Sequence, residues 1–144
     1  MQHRFWLDVT PRAAARTRAT CRGKFAQVYT DPGYRKWLEG DEETGAPGAL
    51  ARLRERVPAL PEDVRKRPIR VTIEVLVRKP KSTKRQQPGG DNDNYEKGVW
   101  DAMTKVGGWW IDDTQIVENR TIKRWAEENQ PDGYQITVEF LETP

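Results

Sequence analysis

The sequence predicts a small single domain that mixes β-strands with α-helices. Three observations carry that prediction. Apolar and polar residues alternate along Val71 to Val77 and again near each end of the chain, which is the period of a strand with one buried face. Between Asn94 and Val106 the apolar residues recur at helical spacing instead. A length of 144 residues suits one core better than two, so 1–144 is read as one unit.

The elements follow in chain order. Phe5, Leu7 and Val9 alternate with Trp6, Asp8 and Thr10, so a first strand is expected from Arg4 to Thr10. Pro11 to Lys24 is rich in Ala, Arg and Thr without periodicity and reads as a basic loop, followed by the short aromatic segment Phe25 to Tyr29. Asp31-Pro32 has helix-start chemistry, because Asp accepts from free backbone amides and Pro tolerates the first turn; a helix is expected over Pro32 to Leu38. Leu50, Leu53, Arg54 and Val57 suggest a second short helix that stops in the Pro58 to Pro61 region. Val71, Ile73, Val75 and Val77 mark the central strand. Lys79 to Gly90, with two prolines and two glycines, reads as a mobile basic loop. In the helix after it, Tyr95, Val99, Ala102, Met103 and Val106 form one face, while Lys97, Asp101 and Lys105 form another. Gly107-Gly108 stops that helix, Trp109-Trp110-Ile111 is an apolar anchor, and strands are expected over Ile116 to Trp125 and Tyr134 to Leu141.

Charge is more informative in its placement than in its sum of +3. From Arg12 to Lys36 seven basic residues, Arg16, Arg18, Arg22 and Lys24 among them, face a single acid, Asp31. A second basic group holds Arg78, Lys79, Lys81, Lys84 and Arg85. Such runs are either solvated loops or phosphate contacts, and contact with a polyanion is the expectation here. No apolar run approaches the roughly 20 residues of a bilayer span, and the N-terminus lacks a secretory apolar core; a soluble cytoplasmic protein without a membrane partner is expected.

The side-chain inventory removes several chemistries. One serine (Ser82, in the basic loop), one histidine (His3, at the N-terminus) and one cysteine (Cys21) leave no well-anchored triad, no internal disulfide and no multi-cysteine metal site. No GxxxxGK[ST] loop and no GxGxxG after a strand is present. What remains is a concentration of carboxylates: Asp91, Asp93, Glu96, Asp101, Asp112 and Asp113. Hard oxygen donors in that number suit magnesium or manganese. Calcium binding by an EF-hand is excluded, since the sixth position of such a loop is Glu96 rather than Gly and the twelfth is Ala102 rather than Glu. Two uses of the acids stand side by side. Either Asp91, Asp93 and Asp113 meet at a cation that relieves their repulsion, or Asp93 caps the helix, Asp91 and Asp112 sit in turns, and Asp113 starts a strand. Lys97 likewise has two readings, an i,i+4 ion pair with Asp93 or Asp101, or an ammonium for a phosphate.

The stretch DNDNYEKGVWDAMTKVGGWWIDDTQIVENRTIK, Asp91 to Lys123, resembles the signature region of the RusA-type Holliday-junction resolvases. It carries D-x-D-N as Asp91, Asp93 and Asn94, then Lys97 and Asp101 at four-residue steps, and a distal D-D-x-Q-I as Asp112, Asp113, Gln115 and Ile116. The resemblance implies an α/β domain of the α+β type, with a small mixed sheet and flanking helices. It also implies a homodimer that nicks branched, four-way DNA with magnesium, manganese being a substitute, in a bacterial or phage setting. Asp91, Asp93 and Asp113 are then the metal and catalytic acids and Lys97 the catalytic lysine. Asp101, Asp112, Asn94 and Gln115 support them, and Arg16, Arg18, Arg22, Lys24, Lys81, Lys84 and Arg85 hold DNA. Two departures from the family pattern stand out: one extra residue around Gly107 to Trp110, which bears on where Asp113 stands, and an expanded segment at 41–68, read as an insertion.

Overall fold

β4, Ile69–Val77, organises the molecule. The structure, a computed structural model, describes residues 1–14, 18–22, 25–29 and 31–142, with the backbone alone inside 18–22 and 25–29. A β-branched residue stands at almost every second position of β4, and Ile69, Val71, Ile73 and Val75 are all buried, so one face of the strand is committed to the core.

The other elements are β1 (Gln2–Leu7), β2 (Arg18–Arg22), β3 (Phe25–Tyr29), α1 (Pro32–Glu39), α2 (Ala49–Arg54), α3 (Glu62–Arg65), α4 (Asn92–Val106), a 3-10 turn (Asp113–Gln115), β5 (Ile116–Trp125) and β6 (Gly133–Phe140). β1, β6, β4 and β5 form one mixed sheet in that order, antiparallel except for the parallel pair β4 and β5. A parallel pair needs a crossover, and α4 supplies it. The α+β expectation, a small mixed sheet with flanking helices, is what the fold shows.

Alternation in β6 puts Tyr134, Ile136, Val138 and Phe140 on the same buried face as the β4 residues. Helices close that face: Trp37 from α1, Ala49, Leu50 and Leu53 from α2, and Tyr95, Val99, Ala102 and Met103 from α4 join one core with Trp109 and Trp110. Each large apolar side chain removed from water there contributes about 1.5–3 kcal/mol before entropy is set against it. The opposite sheet face carries ion pairs. Arg70 reaches Glu118 on β5 at 2.5 Å and Glu139 on β6 at 2.8 Å, and Arg124 pairs with Glu74. Among the described residues no helix is long and apolar enough to cross a membrane.

The structure corrects several expected boundaries. The first strand lies two to three residues earlier than expected, ending at Leu7, because the Val9 N–H turns back to the Leu7 carbonyl and leaves the sheet. Part of the expected basic loop is strand: β2 pairs antiparallel with β3, from Arg18 opposite Tyr29 to Arg22 opposite Phe25. Among the described residues these two strands pair only with each other, so neither needs the apolar alternation of a core strand. A further helical turn, α3, follows Pro61 and buries Val64. The long helix begins at Asn92 rather than Asn94, with Asp91 and not Asp93 at the cap position.

Candidate active site

The acidic motif is the entry to α4. Gly89-Gly90 lead into it, and Gly90 stands at φ +86°, where a Cβ would press on Tyr95 and Ala13; glycine is the residue that tolerates both demands. Asp91 is the N-cap residue, and its carbonyl accepts from the amides of Asn94 and Tyr95 at 3.0 and 3.2 Å. Its carboxylate makes no capping bond, unlike Asp31 at α1, which accepts from the Tyr34 N–H at 3.0 Å. Asn92 turns inward, and its Nδ2 donates to the Thr121 carbonyl at 3.0 Å. That leaves Asp91 and Asp93 on either side of it exposed.

Along α4, Asp93, Lys97 and Asp101 stand one turn apart on an exposed face, about 6 Å of axial rise per step. Neither possible i,i+4 ion pair forms: among the described residues no salt bridge involves Asp93, Lys97 or Asp101, although i,i+4 pairs such as Lys66 with Glu62 do form elsewhere. Asp101 still acts at a distance, since burial and then its charge push the Tyr34 hydroxyl up to about 12.

The second acidic pair arrives from the far end of the crossover. Gly107 caps α4 at φ +79°, its N–H donating to Met103, and Trp109 and Trp110 then plunge into the core at 0% and 3% exposure. Trp110 Nε1 donates to Thr104 Oγ1 at 2.8 Å. The Asp112 carboxylate accepts from the Thr114 N–H at 2.9 Å, which holds its pKa below the ordinary value. Gln115 uses both ends of its amide. Oε1 accepts from the Ile111 and Asp112 N–H groups, and Nε2 donates to the Arg65 and Arg67 carbonyls, so the turn is fastened to the end of α3 and the residues leading into β4.

Asp113 opens this turn, which lies beside α4. Its pKa is raised by desolvation first, then by the hydrogen bond and charge of Asp112 and by the charge of Asp101, with Lys97 opposing. The fold therefore brings Asp112, Asp113, Asp101 and Lys97 into one electrostatic neighbourhood, with Asp91 and Asp93 at the start of the same helix. Among the described residues no three acids, cysteines or histidines already converge as a cation-holding group. That does not count against a hard cation, because magnesium is commonly held by one or two carboxylates with waters and substrate phosphate completing the shell. Two exposed carboxylates without hydrogen-bond partners among the described residues are a donor set that fits it.

The raised pKa has a testable consequence. The folded protein holds the Asp113 proton more tightly than the unfolded chain, so this group favours folding in acid and that contribution is lost as pH rises from the ordinary 3.8 through the raised value. Asp112 works in the opposite sense, stabilising above its ordinary pKa and losing that as pH falls. Asp113→Asn is expected to melt slightly above wild type at neutral pH without divalent metal, and with it in acid. Thermal melts across that range check this, and a variant less stable than wild type at neutral pH contradicts it.

Other expected residues fall around this surface. The backbone of Asn94 accepts from the Ala14 N–H at 3.0 Å, and Tyr34 OH donates to the Gly98 carbonyl at 3.3 Å, so the chain entering β2 and the helix following β3 both rest on the first half of α4. Arg18 and Arg22 lie in β2, where the backbone alone is described; Arg16 and Lys24 lie outside the described residues. Lys81, Lys84 and Arg85 are without ion pairs among the described residues, and the Arg85 carbonyl accepts from Trp125 Nε1 at 3.3 Å. Sequence reasoning missed the β5 residues that grip α4. Thr121 Oγ1 donates to Glu96 at 2.5 Å, Asn119 Nδ2 donates to it at 3.4 Å, and Lys123 Nζ donates to the Gly90 carbonyl at 2.5 Å. The one signal for them was polar residues at 119, 121 and 123, where a core-facing strand would carry valine or isoleucine.

Residues 8–139 match the family Endodeoxyribonuclease RusA. The chain is also similar to the crossover junction endodeoxyribonucleases RusA of Escherichia coli (strain K12) and Shigella sonnei (strain Ss046). Each is 48% identical over 33 residues, covering 23% of this chain and 27% of the relative. The matched region thus spans about a quarter of the curated relatives' length.

Proposed function

Because the chain belongs to the RusA endodeoxyribonuclease family, we propose that it is a magnesium-dependent endonuclease that resolves four-way DNA junctions as a homodimer inside the cell. The observation that carries this reading is the exposed face of α4, where Asp93, Lys97 and Asp101 stand in a row, without ion pairs among the described residues, in the same electrostatic neighbourhood as Asp113, whose proton affinity is raised first by desolvation and then by Asp112 and Asp101. Exposed acids that form no ion pair among the described residues suit a cation better than a purely structural role.

In this proposal Asp91, Asp93 and Asp113 hold the cation, with manganese able to replace magnesium. The bound cation supplies a Lewis acid for the scissile phosphate and a water of lowered pKa. The Lys97 ammonium, one turn beyond Asp93, binds the same phosphate and stabilises the charge that develops on it. Water adds to phosphorus, the bond to the 3′ oxygen breaks, and that oxygen takes up a proton, leaving a 3′ hydroxyl and a 5′ phosphate. Asp112 and Gln115 hold the turn that presents Asp113, and Asn94 braces the chain entering β2 through its carbonyl. Asp101 contributes charge rather than a contact to Lys97.

The basic segments supply affinity. Arg16, Arg18, Arg22 and Lys24 on one side and Lys81, Lys84 and Arg85 on the other would neutralise phosphates along the junction arms. Substituting Lys81, Lys84 and Arg85 together by Ala is expected to weaken junction binding and to reduce the slope of log affinity against log salt by about 2–3, at roughly 0.9 for each phosphate that is no longer neutralised. Binding titrations at several salt concentrations without divalent metal check this; an unchanged slope removes the loop from the interface.

The substrate class is tested by offering junction, fork, flap and linear duplex to the purified protein with magnesium. Preferential cleavage of the junction supports the proposal. Preferential cleavage of flaps or forks replaces it with a different structure-specific nuclease, and tight junction binding without any cleavage leaves a binding protein.

A further inference from the structure

We propose that Lys123 and Thr121 of β5 are positioning residues for the acidic pair Asp91 and Asp93, an inference that rests on the reading of that pair as cation ligands. The residues around the two acids are tied down, and the acids are not. Tyr95 OH donates to the Gly89 carbonyl at 2.9 Å, and Lys123 Nζ donates to the Gly90 carbonyl at 2.5 Å. Asn92 Nδ2 donates to the Thr121 carbonyl at 3.0 Å, and Glu96 accepts from Thr121 Oγ1 at 2.5 Å. The side chains of Asp91 and Asp93 make no hydrogen bond or ion pair among the described residues.

The physical need for such ties is specific to this entry. Two successive glycines precede Asp91, and glycine has the most backbone freedom to lose on ordering. Left alone, Gly89-Gly90 would let the Asp91 carboxylate sample many positions. One side-chain donor on each glycine carbonyl removes that freedom, and the Thr121 hydroxyl fixes the next turn through Glu96. Lys123 and Thr121 alternate on β5 opposite Val75 and Ile73 of β4, so both side chains fall on the sheet face that α4 covers. With its carboxylate engaged by Thr121 and Asn119, Glu96 acts as a strut in this network rather than as a ligand. Groups that orient ligands typically alter metal affinity by about 10–100-fold when removed.

The test is manganese binding followed by electron paramagnetic resonance on the full chain without DNA, for wild type, Lys123→Met, Lys123→Arg and Thr121→Val. Junction affinity in a chelator is measured alongside. Manganese affinity is expected to fall about tenfold or more in Lys123→Met and Thr121→Val, with partial recovery in Lys123→Arg and metal-free junction affinity within about twofold of wild type. Should Lys123→Met not fold, Tyr95→Phe, which deletes only the hydroxyl bond to Gly89, is expected to shift manganese affinity in the same direction. Unchanged manganese affinity with weakened junction binding and a shallower salt slope overturns the proposal and makes Lys123 a phosphate contact. Unchanged manganese affinity with unchanged junction binding overturns it too. A wild-type chain that binds no manganese overturns both this inference and the cation reading beneath it.

Discussion

Asp93→Asn is expected to lower the rate of junction cleavage in magnesium by at least about 10²–10³-fold while leaving junction binding intact. The magnitude is that of removing one preorganised electrostatic group at a reacting centre, here through the cation that Asp93 would help to hold. The substitution keeps the shape of the side chain and deletes its charge, so it separates electrostatics from packing. Its structural cost is small: Asp93 is exposed, has no hydrogen-bond partner among the described residues, and loses only the favourable interaction of an acid with the start of α4, no more than about 1 kcal/mol. Single-turnover cleavage, with circular dichroism as the folding control, measures both. A variant that cleaves within a few-fold of wild type takes Asp93 out of the site.

Trp109→Ala has the largest expected effect on stability, a loss of about 3–5 kcal/mol. Trp109 is fully buried, stacks on Phe5 with centroids 5.4 Å apart, and closes the core where the chain returns from α4 to β5. Because Asp112 and Asp113 follow within four residues, the variant also loosens the acidic turn, and chemical denaturation should show a lower midpoint with a similar slope. A loss below about 1 kcal/mol would mean that the site collapses easily around the missing indole.

The parts of the fold that face the core were legible in the sequence. Val71 to Val77 and Tyr134 to Phe140 alternate because each has one buried face, and Tyr95, Val99, Ala102 and Met103 recur because α4 buries one stripe. The start of α4 was harder, since Asp91, Asn92, Asp93 and Asn94 are all capable caps and only the tertiary bond from Asn92 to β5 selects among them. The β2–β3 ribbon was not legible because it pairs outside the main sheet. Gly23-Lys24, between Arg22 and Phe25, is a Gly-X dipeptide at hairpin spacing, and it was the one local signal.

The acids of the candidate site were legible as a concentration of charge, and Gln115 as part of the motif. Their supports were not. Which residues of β5 face α4 depends on the register with β4, and that register shifts at Val117, an exposed residue inserted between the pairs Ile69 with Ile116 and Arg70 with Glu118. A one-residue slip exchanges the two faces of a strand. No local pattern reveals that slip, so the polar residues at 119, 121 and 123 show which face they occupy only in the folded chain.

Mapping of the nicks on a strand-labelled four-way junction, with and without magnesium, tests the central claim most directly. The account predicts paired nicks placed symmetrically about the crossover, with 5′ phosphates, formed only with the divalent cation. Tight and structure-selective binding with no nicks in magnesium or manganese would contradict it, and would leave the acidic face of α4 without a catalytic role.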